Sequence, residues 1–280
     1  MRHIARVLAS PLAGAYATHI DSAQHFGRHW HDTYGFGFLE RGAQEWFSGR
    51  GTVRGYPGQV ITTNPAEVHD GRPLGRPTRR WRILFVDVEL MARLADRDRP
   101  SEITQPVLRD PPLLRMLHDT FARLERWNDC NTAQAQSVQA LAFEEALVES
   151  CVRLMALHGS APAALVVPPA DVQRVHQRLA DDSSRVPSLG DLARLTGLSR
   201  YQVLRRFTRV YGLPPHAWLL RQRAERARVL IRDGRTLAAA AVACGFADQS
   251  HMSRVFVRQF GFTPGVWRKA ARPLRTFVQD

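Results

Sequence analysis

The sequence predicts an α+β chain of two domains, in which a domain of short strands with two trailing helices precedes an all-α domain. Three observations predict this fold class. Residues 15–90 alternate short apolar or aromatic segments with Gly and Pro turns. A Pro-rich segment follows at 159–169. Beyond it, a pattern of helix, tight turn and second helix occurs twice between Ser188 and Arg268.

The proline-rich segment is the expected domain boundary, because proline restricts the chain and opposes helix continuation. The predicted organisation is an N-terminal domain at 1–158, a linker at 159–169 and a C-terminal domain at 170–280. Each of the two domains is long enough to bury a core of its own.

The positive charge is concentrated in the C-terminal domain. Residues 171–280 hold 20 Lys and Arg against 8 Asp and Glu, whereas residues 1–170 hold 19 against 18. A basic surface confined to one domain is typical of nucleic-acid binding, because contacts to phosphates release condensed counterions. The alternative is a surface that is merely solvated.

Composition and cysteine usage indicate the compartment. No stretch reaches the roughly 20 apolar residues of a membrane span. An early apolar segment from Val7 to Ala17 is interrupted by Ser10, Pro11 and Gly14, so we do not expect a signal peptide. The 3 cysteines form no C-x-x-C pair, which favours a reducing environment. The predicted location is the cytoplasm, on the nucleoid, with no membrane partner.

In the N-terminal domain, the candidate strands are Tyr34–Glu40, Ala43–Phe47, Gln59–Thr63 and Trp81–Val88. Short strands with evenly placed turns are typical of a small sandwich or barrel. His29 and His31 form an H-x-H pair, and His69 follows the Pro57-Gly58 turn. This arrangement resembles a cupin barrel, and the resemblance implies a cupin-like β-barrel here.

The three histidines leave three interpretations open: a metal site, a pocket for an organic ligand, and a structural role. Alternate residues of a strand share a face, so His29 and His31 can converge on a cavity that His69 joins. Metal-dependent cupins, however, carry a Glu four or five residues after the pair, where this chain has Gly35 and Phe36. We therefore predict no metal and no cofactor. The candidate effector-pocket residues are His29, His31, Glu40 and His69.

Two amphipathic helices are predicted after the strands, at about 112–127 and 132–158. Their apolar residues recur at helical spacing, among them Leu117 and Phe121 in the first helix and Leu141 and Leu147 in the second. Such faces cover a core or form a dimer interface. A homodimer is the expected assembly.

The first helical repeat contains two predicted helices joined by a turn at Gly197. Ser188 is the expected N-cap of a helix that ends near Thr196, and Ser199 caps a second helix that extends to Val210. Helical spacing directs three apolar residues of the second helix inward: Val203, Phe207 and Val210.

The second repeat has the same organisation. Thr236 is the expected N-cap of a helix through Ala243, the turn lies at Gly245, and Asp248 caps a helix from Gln249 to Phe260. The expected inward residues are Met252, Val255, Phe256 and Phe260.

The second helix of such a unit is shaped to enter the major groove of DNA. Gln can read adenine and Arg can read guanine, each with two hydrogen bonds. The predicted base contacts are Tyr201, Leu204, Arg205, Gln249, His251 and Arg254. The predicted phosphate contacts are Ser199, Arg209, Ser250 and Arg258. For Leu204 the alternative is internal packing.

Two segments of the C-terminal domain, GFADQSHMSRVF at 245–256 and FGFTP at 260–264, closely resemble the signature of the AraC/XylS family of bacterial transcription regulators. Met252 stands where Phe is commoner in that family. The segment at 27–70 resembles the family's cupin-type effector domain. The resemblance implies a sequence-specific regulator of transcription, often an activator and often dimeric, that responds to a small molecule and works with RNA polymerase.

The predicted function is therefore transcription regulation on double-stranded DNA, controlled by a small-molecule effector in the N-terminal domain. The alternative is a metal-dependent cupin enzyme joined to a nucleic-acid tether. The absent Glu disfavours the enzyme, and no other set of residues resembles a catalytic constellation.

Overall fold

A computed structural model describes residues 3–49, 51–95, 101–160, 168–181 and 186–271. The strands are β1 (His3–Ala9), β2 (Ala15–Ser22), β3 (Phe26–His29), β4 (Thr33–Arg41), β5 (Ala43–Ser48), β6 (Gly51–Gly55), β7 (Val60–Thr63), β8 (His69–Leu74), β9 (Arg79–Asp87) and β10 (Val107–Leu108). The N-terminal helices are α1 (Val88–Leu94), α2 (Pro111–Asp129) and α3 (Ala133–His158). The C-terminal helices are α4 (Ala170–Ala180), α5 (Leu189–Thr196), α6 (Arg200–Tyr211), α7 (Pro215–Arg232), α8 (Leu237–Ala243), α9 (Gln249–Phe260) and α10 (Pro264–Ala270). Within those ranges, no helix combines the length and apolar character that a membrane crossing requires.

The strands form two open sheets that face each other and do not close into the expected barrel, while the predicted class of a strand-rich domain followed by an all-α domain is confirmed. The larger sheet has the order β1-β2-β9-β4-β7-β10, and the smaller has the order β3-β8-β5-β6. Along β9, Trp81 and Ile83 face the smaller sheet, while the alternate residue Leu84 faces the helices. The barrel does not close at β1, because this edge strand packs against α10 of the C-terminal domain instead of pairing with the smaller sheet.

The two trailing helices cover the outer face of the larger sheet, which is one of the two roles that the sequence left open for their apolar faces. Leu117 and Phe121 of α2 and Leu147 of α3 are fully buried there with Phe36 and Leu84 of the sheet. Leu141, which the sequence analysis grouped with Leu147, does not share its burial, since this side chain is 59% exposed. Phe143 and Leu147 are fully buried on the side of α3 that meets the core, and Leu141 lies on the side turned away from them.

The C-terminal helices form two cores, one for each helical repeat. In the first, Val203 and Phe207 of α6 pack on Trp218 of α7. In the second, all four residues predicted to face inward on α9 are buried: Met252, Val255, Phe256 and Phe260. Val210, also predicted to face inward, is 40% exposed, because it lies in the last turn of α6 beyond the edge of the core.

The N-terminal domain contributes a side chain to each of these cores. Trp30 joins the first repeat, with its ring 6.1 Å from that of Trp218. Tyr16 joins the second, with its ring 4.9 Å from that of Trp267. The two domains therefore share apolar surface at two places.

Candidate effector cavity and DNA-facing helices

Local capping positions the second helix of each repeat. Ser199 and Gln202 exchange side-chain and backbone hydrogen bonds in a capping box at the start of α6, after a left-handed Gly197 with φ of 70°. Asp248 accepts from the backbone N–H of His251 at the start of α9, after Gly245, whose φ is also 70°. Both repeats therefore have the predicted turn and cap.

The residues proposed to meet DNA lie on solvent-facing parts of α6 and α9. Tyr201 is 85% exposed and Leu204 is 37% exposed, so Leu204 does not pack internally as a core residue would. His251 is half-buried, with its ring edge against Phe246 at 5.4 Å. The remaining members of the set are all exposed: Ser199, Arg205, Arg209, Gln249, Ser250, Arg254 and Arg258.

A cavity of about 100 Å³ lies between the two sheets. Its wall is mostly apolar and includes Trp46, Trp81 and Phe85. Arg79 is fully buried at this wall and donates to the side-chain oxygen of Gln44 at 2.6 Å and to the Gly71 carbonyl at 3.2 Å. Burial lowers the pKa of Arg79 to about 10, so the guanidinium remains charged at neutral pH.

Three of the four predicted pocket residues line this cavity: His29, His31 and His69. Glu40 lies elsewhere, because even-numbered positions of β4 face α2 rather than the smaller sheet. Its carboxylate pairs with Arg82, which also binds Glu125 of α2 at 3.0 Å.

The three histidines are buried and lie within contact of one another. The rings of His29 and His69 have centroids 4.3 Å apart, and those of His29 and His31 are 5.0 Å apart. Burial lowers the pKa of His69 to about 3 and, with the charges of the other two histidines, lowers the pKa of His29 well below its usual value. Both imidazoles are therefore neutral at neutral pH.

The C-terminal domain completes one end of the cavity. Phe260, in the last turn of α9, stacks on the His31 ring at 5.7 Å between centroids, and Gln259 also lines the wall. The Gln259 amide donates to a carboxylate oxygen of Glu225 at 3.1 Å. Sequence periodicity identified Phe260 only as a core residue and gave no signal for Gln259 or Glu225, since a buried polar residue does not alter the apolar spacing of its helix.

Glu225 is part of a buried charged group on α7. It accepts from Arg228 at 2.9 Å and lies 3.6 Å from His31 Nδ1. Burial alone would raise the pKa of Glu225, but the charge of Arg228 and the proximity of His31 hold it below its usual value. The carboxylate is therefore ionised inside the domain interface.

Two family models match the chain. An "AraC-like ligand binding domain" matches residues 13–150, and a "Helix-turn-helix domain" matches residues 192–270. The HTH-type transcriptional regulator YbfI of Bacillus subtilis is 29% identical over 231 residues, which is 82% of each chain. The transcriptional activator NphR of a Rhodococcus species is 36% identical over 99 residues, 35% of this chain and 29% of that protein.

The fold also has a full-length counterpart among solved structures. The crystal structure of ToxT from Vibrio cholerae O395 aligns with a TM-score of 0.50 and 11% identity over 97% of this chain and 99% of that one. The match shows that the two-domain arrangement is shared. With an AraC-like ligand-binding domain followed by a helix-turn-helix domain, and with regulators of transcription as relatives, this chain belongs to the AraC family of transcriptional regulators.

Proposed function

We propose that this regulator reads two neighbouring major-groove segments of DNA with α6 and α9, and that a small molecule in the cavity between the sheets controls α9. One observation carries the proposal: α9 has exposed Gln249 and Arg254 near its start and has Phe260 in the cavity wall at its end. These positions span about 16 Å of one helix at 1.5 Å per residue. A ligand that displaces Phe260 would therefore move the DNA-facing turn.

The cavity favours a compact effector with an apolar body and one hydrogen-bond acceptor. Its volume of about 100 Å³ is near that of an engineered cavity of about 150 Å³ that binds benzene. The buried Arg79 guanidinium has only neutral hydrogen-bond partners among the described residues, so an acceptor or anionic group of the ligand would gain a charge-assisted bond. Three histidines supply further polar contacts, whereas Glu40 is left out of the proposed pocket.

The proposed DNA contacts are divided between bases and phosphates. Base contacts are assigned to Tyr201, Leu204, Arg205, Gln249, His251 and Arg254, and phosphate contacts to Ser199, Arg209, Ser250 and Arg258. Exposure supports these assignments for all except His251, which is half-buried beside Phe246.

A location in the cytoplasm on the nucleoid follows from this role. Activation through RNA polymerase is proposed from the shared family and from the name of NphR, a transcriptional activator.

Selection of genomic fragments by the full-length protein, at near-physiological salt, tests the function. We expect a motif with two informative blocks about one helical turn, roughly 34 Å, apart. On that motif, Arg254→Ala should weaken binding by about 5- to 150-fold, equivalent to about 1–3 kcal/mol, and relax preference at one base pair. Arg258→Ala is the matched control, since losing a phosphate contact should weaken all sequences alike.

Two results would contradict these assignments. Retention of DNA without any recovered motif would leave only electrostatic binding. Equal losses for Arg254→Ala on the selected site and on random duplex would remove Arg254 from base readout. Measuring affinity over a range of salt concentrations separates the two arginines further. Loss of the phosphate contact in Arg258→Ala should reduce the slope of log affinity against log salt by about one, whereas Arg254→Ala should not.

We further propose that two copies associate through α3. The proposed division of the chain is an N-terminal domain at 1–158, a linker at 159–169 and a C-terminal domain at 170–280. Of that linker, 161–167 lie outside the described residues. Val138, Leu141 and Val152 of α3 are 61%, 59% and 44% exposed and recur at spacings that place them on one side of the helix. Exposed apolar residues grouped on one side of a helix are typical of protein interfaces.

Leu141→Glu is expected to shift the protein from dimer to monomer, because a dimer would bury the added charge without a partner. Sedimentation equilibrium over a range of concentrations measures the shift. Leu157→Glu is the control, since Leu157 is also 59% exposed but lies at the far end of α3. Unchanged association in the Leu141 variant would place the dimer interface elsewhere.

A further inference from the structure

The three cavity histidines are placed by strand pairing rather than by chance proximity. His29 ends β3 and His69 begins β8, and the two are direct partners in the antiparallel pairing of these strands. His31 follows two residues after His29, with its ring 5.3 Å from that of His69. One ring nitrogen from each histidine can be chosen so that all three lie within 4.8 Å of one another.

In two of these histidines, a backbone carbonyl holds the ring hydrogen on Nδ1 and so leaves Nε2 available as a ligand. His29 Nδ1 lies 2.7 Å from the Gly27 carbonyl, and His69 Nδ1 lies 2.9 Å from the Glu67 carbonyl. A carbonyl only accepts, so each Nδ1 carries the hydrogen and each Nε2 keeps a free electron pair. Metal-binding histidines are commonly oriented in this way.

The third ring is held from the other domain. His31 Nδ1 faces the Glu225 carboxylate at 3.6 Å, and Glu225 is in turn fixed by Arg228 and Gln259. A carboxylate behind a histidine is the other common orienting partner at metal sites, where it raises the basicity of the ligand. In this chain that carboxylate belongs to α7, 194 positions further along the sequence than His31.

We propose that His29, His31 and His69 bind a divalent transition-metal ion, best matched by zinc, and that Glu225 makes this site a link between the two domains. Three imidazoles and one open position are a known zinc arrangement, and Zn–N distances of about 2.0–2.1 Å require side-chain movements on the order of 1 Å here. The proposal departs from the sequence-based expectation of no metal. That expectation rested on the absent Glu, which a site with three nitrogen ligands does not require.

The surroundings also define the fourth position. Arg221 of α7 donates to the carbonyl of Arg28, the residue before His29, at 3.1 Å, so a positive charge lies beside the histidine cluster. A cation beside the ion favours an anionic fourth ligand such as hydroxide or a carboxylate. Part of the proposed effector site therefore lies on the metal, and this part of the inference rests on the proposed function. Binding of the ion itself needs neither DNA nor effector.

Titration of the chelator-treated full-length protein with Zn²⁺ alone tests the site. We expect one equivalent to bind, and His31→Ala and His69→Ala each to abolish that stoichiometric binding. His216→Ala, which removes an exposed imidazole at the start of α7, should leave it unchanged. Glu225→Gln should weaken the affinity by about 10- to 100-fold, as loss of an orienting partner does elsewhere.

X-ray absorption of the zinc-loaded wild-type protein gives a measurement that does not depend on any variant folding. Three imidazole nitrogens and one oxygen ligand at about 2.0–2.2 Å are expected. Absence of stoichiometric binding, a spectrum with fewer than three imidazoles, or zinc binding retained in the two histidine variants would each overturn the site. DNA selection by the metal-free protein is a separate experiment, so loss of the metal proposal and loss of DNA recognition are distinguishable.

Discussion

Replacing Arg228 by Met is expected to lower the free energy of unfolding by about 3–5 kcal/mol, because it leaves the buried Glu225 carboxylate without its main counter-charge. Both side chains are less than a tenth exposed, and they are joined at 2.9 Å. Removal of one member of a buried ion pair strands the other in a medium that solvates it poorly. Gln259 and His31 remain near Glu225 and offset only part of that penalty.

The same substitution should loosen the domain interface. The Arg228 guanidinium lies 5.2 Å from the ring centre of Tyr16 in β2 and 5.4 Å from that of Trp267 in α10. Cation–π contacts of this type contribute about 0.5–2 kcal/mol each when desolvated. Denaturation with guanidinium chloride, followed by tryptophan fluorescence, measures the loss in free energy of unfolding. Trp30, Trp218 and Trp267 report on it because all three are buried in cores shared by the domains.

Arg232→Met provides the matched control on the same helix. Arg232 also forms an ion pair, with Asp233 at 3.0 Å, but both side chains are more than a third exposed. Exposed pairs contribute about 0–1 kcal/mol, so the midpoint of unfolding should scarcely change. Similar effects for Arg228→Met and Arg232→Met would show that the interface does not depend on the buried pair.

Gly37→Ala is expected to destabilise the ligand-binding domain by roughly 3 kcal/mol or more. Gly37 lies in β4, between β9 and β7, and a Cβ atom there would stand 1.9 Å from the Arg82 carbonyl oxygen of β9. The obstacle is backbone in the middle of the sheet, so a rotamer change cannot relieve it. Relief requires β4 and β9 to separate, with loss of hydrogen bonds between them.

Thermal unfolding measures this effect, and a fall of about 6–12 °C corresponds to about 3 kcal/mol for a chain of this size class. Gly27→Ala is the control in the other sheet, because a Cβ atom at Gly27 meets nothing within 4 Å. A melting temperature for Gly37→Ala equal to that of Gly27→Ala would contradict the close approach of the two strands.

The sequence alone predicted the C-terminal domain in detail, because its signals are local. Ser188, Ser199, Thr236 and Asp248 each cap the helix expected of them, through bonds to residues three positions away. The start and end of α8 and α9 agree with the predicted ranges. The exposure of Tyr201 and Arg254 follows from the same 3.6-residue period that buries Val203 and Val255.

The N-terminal domain was predicted less completely because strand pairing depends on distant residues. β1 and β2, at 3–22, were not assigned from the sequence, and the expected barrel is a pair of open sheets. Glu40 was predicted as a pocket residue. The strand's period of two places it on the opposite face instead.

By itself, the sequence determined the class of protein, the second helix of each helical repeat and the three candidate histidines of the cavity, because caps, apolar periods and short motifs involve residues close together in the chain. Only the tertiary structure decided that the last turn of α9 closes the cavity, that Glu225 stands behind His31, and that Arg228 joins the domains. Gln259 and Trp30, whose contact helps to seal this interface, are 229 positions apart. No local pattern records such a pair, because burial across a domain interface depends on how whole elements pack and not on the spacing within any one of them.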